Sequence, residues 1–123
     1  MLTTARLVAF AATTNAAKAR RFYEGVLELR LVSDEPFALV FDANDTMLRI
    51  QKVERLTPAP FTALGWEVPD IEAAVDALRA RGVSFTVYPG MGQDERGIWR
   101  SPSGACVAWF TDPDGNTLSL SQF

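Results

Sequence analysis

Apolar residues along this chain recur mostly at alternate positions in short runs. Two segments break that rhythm, and there the apolar spacing stretches to three and four. The first begins at Asn15, a good helix-capping residue, and places Ala19, Phe22, Tyr23 and Val26 on one helical face, continuing to Leu27. The second begins at Asp70 and aligns Ile71, Ala74, Val75 and Leu78 in the same way. Its Glu72 complements the positive end of the helix dipole, Arg79 and Arg81 complement the negative end, and Gly82 supplies the stop. A short apolar strand precedes each helix, at 7–12 and 63–68. Three further strands follow each helix, at 29–32, 37–41 and 47–51 in the first half and at 84–88, 105–110 and 117–120 in the second. Asp42-Ala43-Asn44-Asp45 and Asp112-Pro113-Asp114-Gly115-Asn116 provide the turns between the last two strands of each half. The order βαβββ is therefore written twice, in modules at about 1–56 and 61–123 joined by Thr57-Pro58-Ala59-Pro60. A single copy would be marginal, so the expectation is one α+β domain of 123 residues in which the copies bury each other's sheets.

Composition narrows the function classes. A hydrophobic fraction of 48% against 22% charged residues is that of a folded globular chain and excludes disorder. The net charge is −3, and the basic residues are scattered, with Arg20-Arg21 the only adjacent pair, which argues against a nucleic-acid partner. No run is long enough to span a membrane, and the apolar run at 7–12 is too short for a secretion signal. The single cysteine, Cys106, can form no internal disulfide and lies in an apolar run, which reads as a buried structural thiol in a reducing, cytoplasmic setting. The chain has no histidine, which removes the commonest general base and any two-histidine iron site.

Several residues together carry a resemblance. Asn15, Phe22-Tyr23 and Val26-Leu27 are followed by Val68-Pro69-Asp70-Ile71-Glu72-Ala73-Ala74, then Leu78, Arg81-Gly82-Val83 and finally Asp112-Pro113-Asp114-Gly115-Asn116. In this order they closely resemble the vicinal-oxygen-chelate superfamily of glyoxalases, bleomycin-resistance proteins and dioxygenases, from about Val8 to Leu120. One departure is Glu28, where a glycine usually follows the first helix. The resemblance implies tandem βαβββ modules whose curved mixed sheets enclose a cavity. It also implies, in metal-dependent members, inward-facing His, Gln or Glu on the first and last strand of each module. The spacing carried over from that family puts the first-strand positions at Val8 and Ala63 and the last-strand positions at Arg49 and Ser119. Valine and alanine have no donor atom and arginine repels cations, so no metal and no cofactor are expected. The turn at 112–116 opens like a calcium loop, but its glycine is misplaced and Phe123 stands where the bidentate glutamate belongs.

Strand alternation sets the candidate ligand-binding residues. Val8, Phe10 and Ala12 are expected on one inward-facing surface with Ala63, Gly65 and Glu67, joined by Arg49 and Gln51 from the first module and by Ser119 and Ser121 from the second. Phe10 offers a flat apolar wall, Gly65 leaves room, and Arg49 and Glu67 bring opposite charges that either neutralise each other or meet a ligand. Trp99, after the Gly-rich loop at 89–97, either packs at an interface or closes over a flat ligand as that loop moves. The loop leads into a strand, so it is no phosphate cradle. Trp66 and Trp109 read as core. Ser119 and Ser121 read as small polar cavity residues with no histidine to activate them. The leading expectation is a protein that binds or sequesters a small cationic or aromatic molecule without metal, similar to the bleomycin-resistance branch and, like it, a homodimer. Two alternatives stand beside it. One is a metal-free lyase or isomerase with Glu67 as base and Arg49 stabilising an oxyanion, which leaves Glu67 as the sole catalytic candidate. The other is a non-catalytic accessory dimer.

Overall fold

The computed structural model describes the whole chain, Met1–Phe123. It divides into two compact units, Met1–Thr57 and Pro58–Phe123, each an α+β module built on a four-stranded sheet.

The first unit runs β1 (Val8–Thr13), α1 (Ala16–Arg20), β2 (Arg30–Asp34), β3 (Ala38–Ala43) and β4 (Thr46–Lys52), with sheet order β1-β4-β3-β2. β1 lies parallel to β4, and the other pairs are antiparallel. Register groups Leu39, Phe41, Leu48 and Ile50 on one face, all of them fully buried, with Tyr23 against Phe41 at 5.8 Å between ring centroids. Asn15 caps α1 by accepting from the Lys18 amide at 3.1 Å. The single long helix expected to Leu27 is instead α1 followed by a π-helical turn, Arg21–Val26, in which the Leu27 amide reaches back five residues to the Phe22 carbonyl. Widening the turn keeps both Ala19 and Tyr23 in the buried face.

The second unit runs β5 (Thr62–Glu67), α2 (Ile71–Ala80), β6 (Trp99–Arg100), β7 (Cys106–Thr111) and β8 (Thr117–Gln122), in the order β5-β8-β7-β6. Asp70 caps α2 through the Ala73 amide at 3.1 Å. Gly82 adopts φ +92° while the Val83 amide bonds back to the Leu78 carbonyl, a Schellman-type end that a side chain at Gly82 would strain. α2 buries Ile71 and Val75 and packs on β7 and β8.

One strand differs from expectation. Residues 84–88 contribute a single bridge, Thr86 to Trp109, and the sheet edge is taken up again only by Trp99–Arg100 against Val107 and Cys106. The edge is split because the 87–98 loop satisfies its own backbone. The Gln93 side chain accepts from the Tyr88 amide and donates to the Thr86 and Gly97 carbonyls, groups that a continuous strand would have offered to a neighbour.

Candidate ligand-binding site

The first sheet brings together three of the expected residues. Phe10 pairs in register with Arg49, Ala12 with Gln51, and Val8 with Met47, so Phe10, Arg49 and Gln51 share the face opposite the Leu39–Phe41 core. Phe10 is 52% exposed, and Val8 and Met47 are also exposed. The Arg49 guanidinium donates to Glu35 Oε1 at 3.2 Å, and Ser33 Oγ donates to Glu35 Oε2 at 2.8 Å. The Ser33 hydroxyl, followed by Arg49, holds the Glu35 carboxyl below its usual range. Arg49 thus finds its counter-ion within its own module, at a residue the sequence reading passed over.

The second sheet collects the other three and adds two. Two cross-strand rows lie on one face: Gly65, Ser119 and Trp109, and next to it Glu67, Ser121, Val107 and Trp99. Trp109, expected in the core, instead stands on the same face as Ser119 and is only half-buried. Phe110, its neighbour on the opposite face, is the fully buried residue. Trp99 lies 6.2 Å from Trp109 between centroids, tilted by 37°, and Tyr88 meets Trp109 edge-on at 5.5 Å and 83°. Tyr88 was missed. Trp109 could have been placed from the sequence, since the 112–116 turn fixes the Thr111–Thr117 pair and hence Trp109 opposite Ser119. Trp66 pairs with Leu120 on the other face, as expected, but is half-buried rather than core.

Beside this aromatic row the two strands β5 and β8 pack closely. A Cβ built on Gly65 would lie 2.9 Å from Ser119 Oγ, so glycine there is what lets buried Ser119 sit in the wall. Ala63 falls in a bulge between Thr62 and Leu64, and Glu67 is exposed on the edge strand β5. The loop expected to move is tied down. Besides Gln93, Asp94 Oδ1 accepts from the Arg96 and Ile98 amides at 2.9 Å each, Asp94 Oδ2 receives Arg100 at 3.0 Å, and Arg96 clamps Asp76 of α2. Cys106 is half-buried at the start of β7 rather than buried, since the sheet ends there.

The turn at 112–116 is held by its own side chains and amides. The Asp112 carboxylate accepts from the Asp114 and Asn116 amides and from Asn116 Nδ2, and Gly115 takes φ +87°. This is turn chemistry, with the carboxylate engaged by the loop's own donors.

The sequence profile of the Glyoxalase/Bleomycin resistance protein/Dioxygenase superfamily matches residues 6–120. The chain belongs to this superfamily. Solved structures agree on the fold. A glyoxalase/bleomycin resistance protein/dioxygenase from Alicyclobacillus acidocaldarius is 17% identical with a TM-score of 0.74, covering 98% of this chain and 92% of its own. A superfamily member from Sphaerobacter thermophilus is 25% identical at a TM-score of 0.71, with 95% and 97% covered. A lactoylglutathione lyase from Agrobacterium tumefaciens is 19% identical at 0.72, with 97% and 93% covered. No curated protein matches the chain in sequence. For a glyoxalase-superfamily chain the natural question is a metal. The positions that the resemblance assigns to ligands hold Val8, Ala63, Ser119 and an Arg49 already engaged by Glu35. Two hydrocarbons, one hydroxyl and a fixed cation do not fit a divalent ion.

Proposed function

We propose that this superfamily member is a metal-independent protein that binds or sequesters a flat, cationic or aromatic small molecule at the aromatic face of its second sheet. The observation that carries the reading is the row of Tyr88, Trp109 and Trp99, which shares its face with Gly65, Ser119 and Glu67. Rings held edge-on and tilted present π-faces and edges to a planar guest, and a cation over an indole face gains further attraction. Glu67 on the same face and the net charge of −3 favour a positive guest. On the first sheet, Phe10, Arg49 and Gln51 share a face of their own that offers an apolar wall and hydrogen-bonding groups to a ligand. The exposed apolar face formed by Val8, Phe10 and Met47 supports pairing with a second copy, and a single thiol is in keeping with a reducing cytoplasm.

The test is a thermal-shift and tryptophan-fluorescence titration with a cationic glycopeptide antibiotic and a panel of cationic aromatic drugs. A binder present at a hundred times its Kd should stabilise the fold by about 2.7 kcal/mol, a rise of several degrees in Tm. Trp109→Ala should remove the response while the fold persists. No saturable change in either signal across the panel would overturn the proposal.

A further inference from the structure

A cavity of about 340 Å³ opens on the opposite side of the second unit, between the end of α2 and the 87–98 loop. Alternation along residues 85–88 separates it from the aromatic face. Thr86 bridges to Trp109 and Tyr88 rests on it, whereas Phe85 turns the other way and meets buried Phe110 at 5.4 Å between centroids. Val83, Phe85 and Val87 contribute apolar side chains to a lining that is otherwise mostly polar, in which Arg79, Glu95 and Arg96 give charge.

The cavity is preformed. Gln93 pins the Thr86 and Gly97 carbonyls together. Gly97 adopts φ +83° and sits so close that a Cβ there would be 3.2 Å from the Phe85 Cβ. Arg96 is already matched, its Nε and Nη2 on the two carboxylate oxygens of Asp76 at 2.9 and 3.2 Å. Arg79 and Glu95 make no ion pair within 4.0 Å and feel Asp76 and Arg96 only at longer range, so the lining carries one charge of each sign beside its apolar side chains.

We propose that this cavity is a binding site for a zwitterionic α-amino acid with an apolar side chain. Its carboxylate is taken by Arg79, its ammonium by Glu95, and its side chain lies on Val83, Phe85 and Val87. A molecule with only one of the two charges would leave one lining group unmatched, and a polar side chain would lie on hydrocarbon. The volume is at the small end of ligand pockets and suits a single residue-sized guest. The site stands independently of the aromatic face and of what binds there.

Amide NMR titration of the full chain with L-phenylalanine tests it. Saturable shifts at the Gly82, Ser84 and Gly97 amides are expected, with a Kd on the order of 1 mM or tighter. Arg79→Gln and Glu95→Gln, both at exposed positions, should each stay folded, with Arg79→Gln lowering Tm by no more than a few degrees, and weaken binding about tenfold. Hydrocinnamate and phenethylamine, each lacking one charge, should bind correspondingly more weakly. Absence of saturation, unchanged affinity in both variants, equal binding of hydrocinnamate, or shifts confined to Tyr88, Trp99 and Trp109 would each overturn the assignment.

Discussion

Glu28 adopts φ 60°, a left-handed conformation in which a Cβ crowds the backbone. It follows the π-helical turn at the position where a helix is usually closed by glycine, and its neighbour Leu29 donates to the Tyr23 carbonyl. The sequence showed the unusual residue there but not its consequence, because whether the chain goes left-handed depends on the path to β2. Glu28→Gly should therefore stabilise the protein by about 0.5–1 kcal/mol, read as a higher urea midpoint at unchanged slope. Asn44 and Asp45 adopt φ 50° and 71° in the β3–β4 hairpin, where the Asp45 amide donates to Asp42 Oδ1. Asn and Asp tolerate this conformation, so the 42–45 turn was readable from residue type alone. Of the site residues, Arg49 was placed on the right face, but its partner Glu35 was not seen, since nothing in local spacing joins residues fourteen apart across a strand turn.

Among the elements, the second sheet's edge departs furthest from the repeat. In the first module β2 runs unbroken apart from a bulge at Val32, whereas its counterpart is one bridge, a loop and the two-residue β6. Residues 84–88 have strand-like alternation, which is why they read as a strand. The alternation is real, with Phe85 inward and Tyr88 on the aromatic face, but hydrogen bonding from Gln93 ends the pairing. Asp94 closes the loop and links it to pH. Burial pushes its carboxyl upward, but the Ile98 amide, Arg100 and the Arg96 amide together outweigh that and hold it below the usual range. A depressed folded pKa means stability that is present above the unfolded value of about 3.9 and lost as pH falls through the folded value. Denaturation midpoints measured from about pH 5 down to about pH 3 should fall more steeply in the wild type than in Asp94→Asn. Equal slopes would show that the Asp94 contacts contribute nothing to the acid limb. Because Tyr88 and Trp99 flank this loop, its anchoring also sets the geometry of the aromatic row.

At the scale of the molecule, the exposed Val8, Phe10 and Met47 bear on self-association. If that face joins two copies, Phe10→Glu should shift the protein to its 13.5 kDa monomer mass in sedimentation while its Tm, extrapolated to low concentration, stays near that of the wild type. A wild type that is already monomeric at high concentration would remove the pairing from the proposal. The sequence by itself determined the βαβββ repeat, both helix caps, the two turns and the superfamily, because these rest on interactions within a few residues and on periods of two and 3.6. It also determined which side chains share a face wherever a tight turn fixed the register. Only the tertiary structure decided that Tyr88 and Trp99 gather at Trp109, that Arg49 answers to Glu35, and that a cavity opens behind Phe85. Those outcomes depend on bulges, on a side chain that competes for backbone hydrogen bonds, and on contacts between residues distant in sequence, none of which has a periodic signature.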